Sequence, residues 1–200
     1  MKNAIKYSKK GIVMVTLFTT LLSFANENSF FNIKNDAKKT ALTLKSVKEG
    51  NQLSIIDNNG IILYREIIEK TGNYNKEFNL TSLPDGAYIF ELDKDLEINT
   101  IPFNIKSNIV LFEKEKEKTI FKPLIRVKED MVYVSKLSFN EQPLKIEIYF
   151  TGSNGSELMF TETIENTKVI ERIFKLDGLK FGSYKLVFHG EGREFIKYVN

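Results

Sequence analysis

The stretch LTSLPDGAYIFEL, Leu80 to Leu92, returns 96 positions later as LDGLKFGSYKLVF, Leu176 to Phe188. Leu80, Leu83, Gly86 and Tyr88 are matched in register by Leu176, Leu179, Gly182 and Tyr184. A phrase repeated in register requires the same local structure to be built twice. After each glycine the apolar residues fall at period two, Tyr88, Phe90 and Leu92 in one copy and Tyr184, Leu186 and Phe188 in the other, which is the pattern of a half-buried strand. Each strand is preceded by a Leu-x-x-Leu-x-x-Gly turn. Pro84 suits the start of a tight turn, and Gly86 or Gly182 is expected to supply a positive φ. The first leucine is expected to close the preceding strand and the second to plug the bottom of the core.

The repetition extends upstream. LSIIDNNGIILY, Leu53 to Tyr64, reads as two strands around an Asn59-Gly60 hairpin turn, and IEIYFTGSNGSELMF, Ile146 to Phe160, reads the same way around Asn154-Gly155. Alternating apolar runs give about seven strands per copy, near Phe31, Leu42, Ile55, Leu63, Phe78, Tyr88 and Ile101, then near Ile125, Val132, Ile146, Leu158, Ile173, Tyr184 and Phe195. No long helical period accompanies them. The fold class is therefore all-β: two tandem immunoglobulin-like β-sandwiches, residues 26–106 and 119–200, joined by a linker at 107–118. Within that linker EKEKEK, Glu113 to Lys118, alternates in sign, which suits a solvated connector better than a docking strip.

The N-terminus speaks to location. Lys2, Lys6, Lys9 and Lys10 precede an uncharged apolar run from Gly11 to Phe24, and Ser23 and Ala25 stand where a signal peptidase requires small residues. This predicts a signal peptide over residues 1–25 and a mature chain starting at Asn26, exported to the periplasm, cell surface or extracellular space. The run is shorter than the roughly 20 residues of a spanning helix, so no transmembrane segment is expected in the mature chain. The formal charge of +3 includes those four lysines; without them the remainder carries −1. A nearly neutral chain lacks the basic patch that nucleic acid demands. With no cysteine and 16 Phe and 8 Tyr, stability must come from an aromatic-rich core.

Catalytic chemistry finds little to work with. His189 is the only histidine and reads as a turn residue at a strand end. One histidine and no cysteine leave no ordinary ligand set for zinc or copper. Ser153 and Ser183 lie beside glycines without forming a Gly-x-Ser-x-Gly elbow. DNNG, Asp57 to Gly60, lacks the later ligands of a calcium loop and is assigned to a hairpin turn. Asp93 to Asp95 and Gly190 to Gly192 occupy equivalent turns with different chemistry, as connectors would. No catalytic, cofactor-binding or metal residue is assigned, and no cofactor is expected.

Leu83, Pro84 and Tyr88 are similar to the tyrosine corner of fibronectin type III domains. More extensively, Ile55, Asp57 and Gly60, then Leu80, Leu83, Gly86 and Tyr88, repeated at Leu176, Leu179, Gly182 and Tyr184 and followed by a last strand over 193–199, resemble the C-terminal sorting domain of type IX secretion cargo, although that family's Tyr-Pro-Asn-Pro opening is absent from both copies. The resemblance implies an immunoglobulin-like sandwich and, as one reading, a sorting signal in the second copy. The reading preferred from the residues is an exported, non-enzymatic binding, adhesion or spacer module at the cell envelope, its partner an unknown envelope protein or surface ligand. A carbohydrate-binding module is the third, disfavoured by the absence of tryptophan.

Overall fold

The computed structural model describes residues 29–36, 39–153 and 155–200; the expected signal peptide, Asn26 and Asn154 lie outside them. The chain is all-β. The first copy contains β1 (Phe31–Asp36), β2 (Lys39–Val47), β3 (Gln52–Asp57), β4 (Ile62–Ile67), β5 (Gly72–Phe78), β6 (Gly86–Asp93) and β7 (Glu97–Lys106). After β8 (Ile109–Phe112) and β9 (Lys118–Phe121), the second copy contains β10 (Leu124–Lys128), β11 (Met131–Leu137), β12 (Leu144–Gly152), β13 (Gly155–Ile164), β14 (Val169–Lys175), β15 (Ser183–Gly190) and β16 (Arg193–Val199). All pairings are antiparallel, as short connections between neighbouring strands dictate.

Each copy is a sandwich. In the first, the sheet β1-β2-β5 contributes Leu42, Leu44 and Phe78 to a core completed by Leu53, Ile55, Phe90 and Phe103 of the sheet β4-β3-β6-β7-β8. In the second, β10-β11-β14 contributes Val132, Val134 and Ile170 against Ile146, Ile148, Leu186 and Phe188 of β13-β12-β15-β16. The two cores share no residue. Strand order is the same in both copies, with the fourth strand of each beside the third, so the duplicated sequence builds duplicated immunoglobulin-like topology.

The segment expected as a linker is part of the first sheet. β8 pairs with the Phe103–Lys106 end of β7, and β9 pairs with its Glu97–Thr100 end. The alternating charges of EKEKEK form the turn between them: Glu113 pairs with Lys116 at 3.0 Å and accepts from Asn104, while Glu117 accepts from the Ser29 hydroxyl and the Phe30 amide. Phe112 packs on Phe103, and Ile98 and Ile120, opposed across β7 and β9, are both buried. We therefore propose modules of residues 29–122 and 123–200, with Lys122-Pro123 as the joint. A fragment of residues 29–122 is expected to unfold in urea as one cooperative unit. A fragment ending at residue 106 should be less stable by about 5 kcal/mol or more, from loss of the buried Ile120 and half-buried Phe112 side chains.

Candidate functional site

The repeated phrase places a tyrosine corner in each module. The Tyr88 hydroxyl donates to the Pro84 carbonyl at 2.8 Å, and the Tyr184 hydroxyl donates to the Asp177 carbonyl at 2.6 Å. Burial pushes the Tyr184 phenol up from its ordinary value, with Asp177 adding to the shift. The leucines exchange the expected roles: Leu80 and Leu176 are the buried plugs, whereas Leu83 and Leu179 are only partly buried against the cores. The glycines differ from expectation too. Neither Gly86 nor Gly182 lies in the left-handed region; Gly182 is extended at φ 178°, and the left-handed residue of the second turn is Gly178 at φ 83°. Gly182 is needed for space, because a Cβ there would sit 2.3 Å from the Thr151 carbonyl oxygen.

The hairpin after β3 also departs from a two-residue turn. Asp57 accepts the Asn59 and Ile61 amides on one carboxylate oxygen at 2.9 and 2.8 Å, and only Gly60 takes positive φ, at 80°. This is a three-residue loop with glycine at the bulge position. The Asp57 oxygen is thus engaged in holding the turn. In the other hairpin Gly155 has φ 107°.

A second duplicated feature, not read in the sequence, closes the open side of each sandwich. Glu66 on β4 takes Lys76 on β5, and 96 positions on Glu162 on β13 takes Arg172 on β14. Beside these pairs, Tyr64 meets Phe78 edge-on at 5.2 Å, and Phe160 meets Phe174 at 5.3 Å, again at the same offset. Scanning the sequence at that offset for opposite charges ten residues apart would have found both. Burial opposes ionisation of Glu66, but Lys76 and Tyr64 outweigh it and lower the carboxyl.

His189 is not a turn residue. It lies in β15 opposite Lys145 of β12, with Nε2 at 3.1 Å from Glu147 and Nδ1 at 3.6 Å from Glu194. Lys145 approaches Glu147 at 2.6 Å and the Tyr149 hydroxyl donates to it at 3.2 Å. Lys145 and His189 hold the Glu147 carboxyl down at about 2. A depressed carboxyl contributes stability that is present above its unfolded value near 4.5 and is lost as pH falls through about 2. Glu147→Gln is thus expected to flatten the loss of stability between pH 5 and 2 in acid denaturation, with little change in slope above pH 6. The cluster depends on strand register, which joins residues 42 positions apart. Among the described residues no group of three or more His, Cys, Asp or Glu is arranged to hold a metal ion.

The seam between the modules supplies the other candidate. Arg193 clasps the buried Glu91 with both terminal nitrogens, Lys122 pairs with Asp93, and Phe121 meets Phe139 edge-on at 5.4 Å. Lys136 is buried, donating to Glu191 at 2.8 Å and to the Leu137 carbonyl at 3.1 Å. Beside these contacts runs a groove of about 460 Å³, lined by Leu96, Glu97, Phe121 and Lys122 from the first module and by Leu124, Ser135, Lys136, Leu137, Val169 and Glu171 from the second. Leu96, Leu124, Leu137 and Val169 are exposed. The groove is apolar with a charged margin, and its volume falls within the range of small-ligand sites, which favour domain interfaces.

No helix among the described residues is long and apolar enough to cross a membrane. No known family matches the sequence, and no curated protein matches it. Among solved structures the chain is similar to a domain titled "Biofilm associated protein - BSP domain", at TM-score 0.26 and 13% identity over 84% of this chain, of which it spans 28%. It is also similar to the human OSCAR ligand-binding domain, at TM-score 0.25 and 6% identity, covering 85% of this chain and 96% of that one. Superpositions this loose carry no statement about a ligand.

Proposed function

We propose that this chain is an exported, non-enzymatic module that binds at the cell envelope, and that the seam groove receives an apolar portion of an envelope protein or surface ligand. The observation that carries the reading is the groove itself: four large aliphatic side chains left open to solvent where two modules meet, between ion pairs that hold the walls. A spacer would have no use for that exposure, and each exposed apolar patch is a solubility liability unless it has an occupant. The basic and apolar N-terminal segment supports export. The likeness of Leu176, Leu179, Gly182 and Tyr184 to a sorting domain supports the sandwich more than a sorting role, because Leu176 and Tyr184 are buried in the second core, Leu179 packs against it and Gly182 makes room beside Phe150.

The experiment is co-sedimentation of the purified mature protein with envelope fragments from its own host. Retention of the wild type, and its loss in Leu137→Asp and Val169→Asp variants that melt as the wild type does, is the expected result. Wild-type protein left in the supernatant, or variants retained undiminished, would overturn the assignment.

A further inference from the structure

Several sheet edges carry positive charge, as Arg126 and Lys128 do on β10 and Arg193 and Lys197 on β16, a common protection against pairing with another chain. The fourth strand of each module is poorly protected. β4 and β13 both lie at free edges. Ile62 and Leu63 on β4, and Leu158, Met159 and Phe160 on β13, are exposed. β13 runs ten residues without lysine, arginine or proline.

We propose that copies of this chain associate by antiparallel pairing of β4 in one copy with β13 in another. In the register that sets Arg65 opposite Glu157, Tyr64 meets Leu158, Leu63 meets Met159 and Ile62 meets Phe160. Neither Arg65 nor Glu157 has an ion-pair partner among the described residues, so the contact supplies the charge that each lacks. Leu63 and Met159 are the extra residues at the bulges in the β3–β4 and β12–β13 ladders. In this register the two irregularities coincide and do not interrupt separate stretches.

Self-pairing fits less well. The charged residues of β13 are Glu157 and Glu162, with no cation to oppose them, and Glu66 of β4 is already committed to Lys76 and Tyr64. Because each copy offers one β4 and one β13, the contact is heterologous, and repetition extends a linear assembly unless the geometry closes it into a ring.

Sedimentation velocity of the mature protein over a concentration series tests this. The wild type is expected to grow in mass with concentration. Arg65→Glu and Glu157→Arg, both at exposed positions, should each weaken association about tenfold by opposing like charges, and the double swap R65E/E157R should restore it. Thermal melts matching the wild type establish that the variants are folded. A wild type that stays monomeric throughout, or association unaffected by the single reversals, or single reversals not rescued by the swap, would overturn the proposal.

Discussion

Replacing Tyr184 by alanine is expected to cost about 3 to 5 kcal/mol in the second module, whereas phenylalanine at the same position should cost about 1. The ring is 7% exposed and packs at 5.0 Å from Phe150, so truncation leaves a cavity among Ile148, Leu186 and Val199. The phenylalanine variant keeps the ring and gives up the 2.6 Å bond to the Asp177 carbonyl. Urea denaturation of the isolated substitutions measures both. The phenol also predicts an alkaline signature. Its folded pKa lies above the ordinary value of 10.0, so its contribution is complete below pH 10 and is lost as pH rises through the folded value. Tyr184→Phe should remove that alkaline loss. Equal small costs for both substitutions would mean that the ring is not packed as described.

Gly182→Ala should cost about 3 kcal/mol or more, at the upper end for overpacking, while Gly86→Ala at the equivalent position should stay within about 1. The backbone conformation is not the reason, since φ of 178° is open to any residue. The added methyl would lie 2.3 Å from the Thr151 carbonyl oxygen and 2.6 Å from the Phe150 ring, and the carbonyl belongs to a paired strand that cannot step aside. At Gly86 the nearest atoms belong to Tyr88, at an ordinary 3.5 Å. The pair of variants separates a requirement for space from a requirement for a turn. Similar losses at both positions would contradict it.

Where period-two alternation reports a buried face, the strands were readable: each of the fourteen expected runs contains a strand of the structure. The repeat made the topology of the second copy follow from the first. The two additional strands were hidden because Ile109, Leu111 and Lys118 face solvent and EKEKEK carries the composition of a connector; what places them is pairing with β7, a contact no local pattern records. The need for Gly182 is one of volume and not of φ, and a sequence shows that glycine is present without showing which of the two demands it. The His189–Glu147 contact and the seam groove rest on register and on the meeting of two modules. Neither is local. The Glu66–Lys76 and Glu162–Arg172 clamps were legible in principle, at the offset already in hand.

The donation of β9 to the first module has a mechanical consequence. Once the Arg193–Glu91 and Phe121–Phe139 contacts across the seam have parted, tension applied through the second module enters the first at Lys122 and reaches the Phe121–Glu97 end of the β7–β9 ladder. The load there peels the ladder from one end, one pair at a time, while the aromatic core behind β6 and β7 stays out of the line of force until β9 has detached. Four residues of extended strand amount to about 13 Å of slack. A chain held at both ends would thus give up one edge strand before it gives up its core, and recover that strand by re-zipping when the pull relents.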